Sequence, residues 1–271
     1  MWIFISILAA TVFLGLLLLW CLKGRTRHPG LAALRSWSYA HRGLHDSQKP
    51  ENSLAAFRAA VESGYGAELD VHLMKDGNLA VIHDSSLKRT TGVDLRIEDL
   101  DVSSITDYRL NHSQEQIPLL QQVLELYEGR APLIVELKAV NRNHAALCRA
   151  ACRLLDRYQG QYCIESFDPR VVAWFRRHRP DVIRGQLSEN WMRAKLSAPA
   201  IFKWVMTHHI ANVYTRPDFI ACRFEDRNVA GTKICRGFWK VQGVSWTIRT
   251  IDDFKTAVDE GWIPIFEGFV P

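Results

Sequence analysis

Eight short runs rich in β-branched and aromatic residues recur between residues 38 and 266, and amphipathic stretches separate most of them. The runs are 38–41, 67–73, 133–138, 161–166, 182–187, 219–224, 242–248 and 262–266. Leu54, Phe57 and Val61 share one helical face, and Gly64 stops that helix. Leu119, Val123, Leu126 and Tyr127 form a second face, Leu147, Ala151, Leu154 and Leu155 a third, and Val171, Val172 and Phe175 a fourth. Strands alternating with helices form a parallel sheet, and eight of them within roughly 250 residues predict a (β/α)8 TIM barrel of class α/β. An open, doubly wound sheet would carry a Gly-rich phosphate turn after its first strand, and this chain has none there. Asp76-Gly77 is a hairpin signal, so an extra antiparallel strand is expected after the second one. Residues after 266 do not read as an eighth helix, and residues 29–36 are expected to cover that gap.

Ahead of the barrel, residues 2–22 contain no charged side chain. Such a run is long enough to cross a hydrocarbon core of about 30 Å as a helix. A signal peptide would begin with a basic segment and end at small residues, and this run does neither. Lys23, Arg25 and Arg27 come directly after it, so the positive-inside rule places residues 23–271 on the cytoplasmic side of a single-pass membrane protein. The expected organisation is an anchor over 1–22, a basic linker over 23–36 and a barrel domain over 37–271. Removing those three cations from the net charge of +5 leaves +2 on the rest, which offers no general field for nucleic acid. The six cysteines lack metal-site spacing and suit a reduced compartment as small buried hydrophobes.

In barrels of this kind the catalytic groups sit at the C-terminal ends of the strands. Strand one ends in His41-Arg42-Gly43, and the hairpin ends in His83-Asp84. Glu68 and Asp70, two apart, point to one face of strand two, and Glu136 and Lys138 do the same at the end of strand three. Three inward carboxylates repel one another. A hard divalent cation with oxygen ligands would relieve them, and so would a buried ion network with Lys138, Arg42 and Arg184. Two strand-end histidines suit paired general acid and base work near neutral pH. The remaining histidines read as surface or packing residues. Arg42 and Lys138 supply fixed positive charge for a phosphate. Together these groups point to metal-assisted phosphodiester cleavage.

The chain also resembles the glycerophosphodiester phosphodiesterases. The matching stretches are His41-Arg42-Gly43, Pro50-Glu51-Asn52-Ser53, Glu68-Leu69-Asp70-Val71, Lys75-Asp76-Gly77, His83-Asp84, Arg89-Thr90-Thr91-Gly92, Ile117-Pro118-Leu119, Glu136-Leu137-Lys138, Ser166-Phe167-Asp168 and Trp246-Thr247, in family order. The resemblance implies a (β/α)8 barrel that hydrolyses glycerophosphodiesters to sn-glycerol 3-phosphate and an alcohol. It implies His41 and His83 as the acid/base pair, and Glu68, Asp70 and Glu136 as ligands to one Ca2+ or Mg2+. Arg42 and Lys138 would hold the phosphate, and Trp246 would pack on the glycerol. The substrate's neighbouring hydroxyl would attack first, giving a cyclic phosphate that water then opens. The chain departs from the family in three places, one of them the missing eighth helix after the last strand. Arg249 stands where Asn is usual after the Trp-Thr pair, and Ile265-Phe266-Glu267 replaces the usual Thr-Asp ending.

The same residues allow two other readings. One is a lysophospholipid-directed phosphodiesterase working at membrane lipid, and the other is a catalytically impaired membrane scaffold. Residues 190–216, with Trp191, Met192, Ile201, Phe202, Trp204 and interspersed Lys and Arg, suit either a membrane interface or a barrel helix packing Ile201, Val205 and Ile210 on the sheet.

Overall fold

A computed structural model of the chain describes residues 1–195 and 197–271. Nine strands are present among them: β1 (Tyr39–His41), β2 (Gly66–Leu73), β3 (Leu79–Val81), β4 (Leu133–Leu137), β5 (Tyr162–Ser166), β6 (Arg184–Ser188), β7 (Phe219–Arg223), β8 (Gln242–Ile248) and β9 (Trp262–Phe266). The helices are α1 (Trp2–Cys21), α2 (Leu31–Arg35), α3 (Leu54–Glu62), α4 (Lys88–Thr91), α5 (Val102–Ile105), α6 (Leu120–Tyr127), α7 (His144–Leu155), α8 (Pro169–His178), α9 (Ala200–Thr207), α10 (Asn212–Thr215), α11 (Ala230–Gly237) and α12 (Ile251–Asp259). All strands but β3 run parallel in one sheet, and β1 pairs with both β9 and β2, which closes the barrel. β3 returns antiparallel to β2 across the Asp76-Gly77 turn, as the turn residues require. The (β/α)8 barrel expected from the sequence is therefore the observed fold.

Alternation along the strands sorts side chains between two cores. Ala67, Leu69 and Val71 of β2 face the outer helices, packing with Phe57, Val123 and Leu147. Tyr39, Ile134, Cys163, Ile183, Phe219, Val244 and Ile263 fill the lower interior of the barrel. Gly185 makes room there, because a Cβ at that position would lie 2.0 Å from the Phe219 ring. One step further along the same strands, the inward positions turn polar: His41, Glu136, Glu165 and Trp246 come two residues after Tyr39, Ile134, Cys163 and Val244. Several helices start just past the C-terminal strand ends with side-chain caps, including Ser53 to the Ala56 amide, Asp168 to the Arg170 amide and Thr250 to the Asp253 amide.

Residues 23–36 lie against the barrel. Arg25 forms a two-pronged pair with the fully buried Asp218, through Nε at 2.5 Å and Nη2 at 2.6 Å. His28 Nδ1 accepts from the Gly30 amide, so Nε2 donates to the Asp181 carbonyl at 2.7 Å. Leu31 and Leu34 of α2 are buried with the lower interior residues and seal the N-terminal end of the barrel. This segment does not stand in for an eighth outer helix. The seam beside α12 is filled by the last residues instead: Phe269 packs on Phe254 and Phe266, and the Tyr65 hydroxyl donates to the Pro271 carbonyl at 2.9 Å. Leu34→Ala should cost about 2–5 kcal/mol of stability, as truncation of a buried leucine does. A change in denaturant midpoint equivalent to less than about 1 kcal/mol would mean that α2 only rests on the barrel.

In the segment 190–216, Leu196 lies outside the described residues. Met206 is buried, but Ile201, expected on the sheet in the packing reading, is 69% exposed, and Met192, Phe202 and Trp204 are also exposed. The cysteines are all free, and all but Cys21 are buried.

Candidate active site

The strand register brings the acidic residues to one level. His41 lies beside Glu68, Asp70 beside Glu136, and Glu136 beside Glu165. His41, Glu68, Glu136 and Glu165, together with Arg42, His83, Lys138, Phe167, Glu189 and Trp246, line a cavity of about 230 Å³ at the C-terminal ends of the strands. The sequence-derived candidates His41, Arg42, Glu68, His83, Glu136, Lys138 and Trp246 all reach this cavity, and Asp70 lies directly beneath it, bound to Lys138 and Arg42.

Lys138 Nζ sits 2.9 Å from Asp70 Oδ1 and 2.8 Å from Glu136 Oε2. Arg42 Nε lies 3.3 Å from Asp70 Oδ2, and its Nη1 donates to Glu51 at 2.9 Å. Asn52 donates to Asp70 Oδ2 at 2.9 Å. Burial alone would push the Asp70 carboxyl up, yet Lys138, His83 and Arg42 together hold it well below the usual carboxylate range. The other carboxyls go the opposite way. Burial, and then Asp70, Glu136 and Glu165, raise Glu68 well above that range. Burial, opposed by Lys138 and reinforced by Asp70, pushes Glu136 up to about 7. Burial and Glu136 raise Glu165, whose buried Oε2 has no hydrogen-bond partner among the described residues.

These groups fit a divalent cation. Oxygens of Glu68, Asp70 and Glu136 lie within 4.8 Å of one another, all buried. With Glu165 and Glu189 the site holds five carboxylates against the two cations Lys138 and Arg42, an excess that a divalent ion would lessen. The ion network considered from the sequence is also partly present, through Lys138 and Arg42. Arg184 is not in it. It sits at the start of β6, at the opposite end of the barrel, 3.9 Å from Asp218 and bound to the carbonyls of Thr215 and Arg216.

The two histidines are held alike. His41 Nδ1 is 2.5 Å from Glu267 Oε2, and His83 Nδ1 is 2.6 Å from Asp84 Oδ1. A carboxylate at Nδ1 fixes the proton there and leaves Nε2 free to take or give one. His41 Nε2 lies 3.9 Å from Glu68 Oε2. Burial lowers the His41 imidazole below its ordinary value, against the raising effect of its bond to Glu267. Burial lowers His83 as well, with Asp70 opposing. Asp84 is in turn held by Arg89 Nε at 2.5 Å, and Arg89 also binds Glu51.

Sequence reasoning missed Glu165 and the role of Glu267. Glu165 obeys the same strand-end rule that found Glu136, so its signal was available. Glu267 comes one residue after β9, and Arg249 Nη2 lies 3.6 Å from it. Two of the departures noted in the sequence thus face each other across the mouth, and one of them holds His41. His72, read as a surface or packing residue, donates from Nε2 to the His83 carbonyl at 3.1 Å, and its Nδ1 lies 2.7 Å from Glu98 Oε1.

The sequence pattern of the "Glycerophosphoryl diester phosphodiesterase family" matches residues 41–232. A glycerophosphodiester phosphodiesterase of Bacillus altitudinis is 40% identical over 110 residues, covering 38% of this chain and 44% of that protein. The chain therefore matches less than half the length of that relative. A human lysophospholipase D is 33% identical over 136 residues, covering 45% of this chain and 42% of that protein. Among solved structures, a phosphodiesterase of Oleispira antarctica in complex with the product sn-glycerol-3-phosphate superposes with a TM-score of 0.70 at 21% identity, covering 85% of this chain and 92% of that one. At that identity the likeness is one of fold.

Proposed function

The chain belongs to the glycerophosphoryl diester phosphodiesterase family, and from that premise we propose that it hydrolyses glycerophosphodiesters to sn-glycerol 3-phosphate and an alcohol. The observation that carries the reading is the cavity itself. Two histidines, each with Nδ1 on a carboxylate, open onto one space that also holds Arg42, Lys138 and a cluster of carboxylates.

In this proposal the diester phosphate lies between Arg42 and Lys138, and the glycerol packs against Trp246, which is steadied edge-on by Phe167 at 5.7 Å. One histidine takes the proton from the glycerol hydroxyl next to the phosphate through its Nε2. The other gives its Nε2 proton to the oxygen of the departing alcohol. The roles then reverse as water opens the cyclic phosphate. Glu68, Asp70 and Glu136 would hold one Ca2+ or Mg2+, whose charge would offset that building up on the phosphate oxygens. Turnover of glycerophosphocholine, measured as glycerol 3-phosphate release, tests the reading; no release with added Mg2+ or Ca2+ would overturn it.

A metal at this site has a proton signature. With Glu68 raised and Glu136 at about 7, the ion-free site carries protons at pH 6 that binding must displace. Calorimetric titration of Mg2+ or Ca2+ in buffers of different ionisation enthalpy should give release of about one proton or more per ion at pH 6, with the share from Glu136 declining towards pH 8. Binding with no proton release would remove these carboxylates as ligands. Excess EDTA should abolish turnover, and full activity in its presence would remove the metal from the mechanism.

A lysophospholipid is the second substrate reading, and one observation favours it. An adjoining groove of about 550 Å³, sharing Glu136, Lys138 and Phe167 with the cavity, is walled by Val140, Pro169, Trp191 and Phe202. Its apolar walls suit an alkyl chain. Comparing glycerophosphocholine with lysophosphatidylcholine on one preparation separates the two. We also read residues 1–22 as a membrane anchor, residues 37–271 as the catalytic domain and the cytoplasm as its side, since α1 has the length and composition to cross a membrane and Lys23, Arg25 and Arg27 come directly after it.

A further inference from the structure

The last turn of α1 is fastened to one end of the barrel. Trp239 Nε1 donates to the Leu19 carbonyl at 2.8 Å, and Arg216 Nη1 donates to the carbonyls of Trp20 and Lys23 at 2.9 and 2.8 Å. Asn212 donates to the Leu22 carbonyl at 3.3 Å, and Leu22 is buried. Asn212 and Arg216 lie just before β7, and Trp239 just before β8, so these fasteners are at the N-terminal ends of the strands. The Arg25–Asp218 pair and the seal made by Leu31 and Leu34 continue along that same end. No slack remains between helix and barrel, whereas a free linker of 14 residues could stretch to about 50 Å. The catalytic cavity opens at the other end.

The barrel covers none of residues 2–17, so α1 does not fold back beside it. Aromatic and cationic side chains surround its exit. The Arg216 guanidinium lies 4.2 Å above the Trp20 ring, Lys23 Nζ lies 5.3 Å from the Trp239 ring centre, and Arg177 lies 5.1 Å from that of Tyr214. Phe238 is 61% exposed beside Trp239, and Lys240 is next in the chain. The residues just before β7 and β8, 208–217 and 233–241, contain no acidic residue, while Arg179 at the same end is paired with Asp156 and Asp181. Trp, Tyr and Phe among Lys and Arg are what a headgroup region recruits, and Lys23, Arg177 and Arg216, which pair with no carboxylate among the described residues, favour anionic lipid.

We propose that the N-terminal end of the barrel, around Trp20, Lys23, Arg216, Phe238 and Trp239, rests on an anionic phospholipid surface, with the catalytic mouth held away from the bilayer. This rests on reading α1 as a membrane anchor. The rival face is the exposed Met192, Ile201, Phe202 and Trp204 near the mouth. Turning it to lipid would require α1 to run back along the strands for roughly 17–20 Å of its own length of about 30 Å. Too little would remain to cross a membrane. Substrates then arrive from the aqueous phase, and a lysophospholipid reaches the site only after leaving the bilayer.

The test uses the full chain with Cys21→Ser, so that an added cysteine is the accessible one, and carries a fluorophore at Lys240→Cys or at Asp252→Cys. Lys240 is at the exit end, and Asp252 lies in the first turn of α12 beside the mouth. The protein is reconstituted into phosphatidylcholine vesicles with or without phosphatidylglycerol, and headgroup nitroxide lipids serve as quenchers. Quenching at Lys240 should exceed that at Asp252 at least threefold, with the larger ratio when phosphatidylglycerol is present. Equal or reversed quenching in protein that floats with the vesicles overturns the orientation while the anchor stands. Protein that does not float with vesicles overturns the anchor, and the orientation with it.

Discussion

His41→Ala and His83→Ala should each lower glycerol 3-phosphate release by about 10²–10⁴-fold, the contribution typical of a positioned acid or base. Both side chains project into the cavity from rigid strand ends, and neither belongs to the apolar cores. Their loss should therefore leave the thermal midpoint within a few degrees of the parent. His41→Ala frees Glu267, which is partly exposed and keeps Arg249 nearby, so no buried charge is stranded. His83→Ala frees Asp84, which keeps Arg89. Burial lowers both imidazoles, so both are mostly neutral at pH 7 and one must gain a proton before it can act as the acid. Turnover within tenfold of the parent in either folded variant would defeat the acid/base assignment.

Much of this site was legible because barrel strands repeat a simple rule. An inward residue two positions past an apolar inward residue, at a strand end, belongs to the mouth. Glu68 with Asp70, and Glu136 with Lys138, declare themselves by that spacing. Glu165 obeys the rule, but Gln161-Tyr162-Cys163-Ile164-Glu165-Ser166 reads equally well as a strand with a solvated polar end. Only the alignment of β5 beside β4 puts its carboxylate next to Glu136. Arg184 illustrates the converse error. It is on a strand, but at the beginning, so its charge serves Asp218 at the other end of the barrel. Residues 23–36 read as a basic linker because the partner of Arg25 is 193 residues away in the chain. Charge along a sequence does not show which charges meet across it.

Glu267→Gln should be nearly as damaging as loss of His41, although Glu267 touches no reacting atom in this scheme. A carboxylate at Nδ1 does two things for a catalytic imidazole: it fixes the tautomer, and it stabilises the cation. Where such a carboxylate has been replaced by an amide in serine proteases, the loss is about 10⁴-fold with the geometry kept. Here the bond is 2.5 Å, and Arg249 lies 3.6 Å from the same Oε2, so a loss on the order of 10²–10⁴-fold in kcat is expected. Glu267 itself is held down at about 2, chiefly by its bond to His41, so it stays charged throughout the working range. Its charge raises the His41 imidazole against burial. Removing it must therefore lower the His41 pKa further. The limb of the pH–rate profile that belongs to His41 should move to lower pH, whichever of the two roles His41 plays. Arg249→Ala removes a cation from beside Glu267 and should move that limb slightly the other way. A Glu267→Gln enzyme that is slower but has an unmoved profile would make Glu267 a packing residue of the mouth, with His41 oriented by something else.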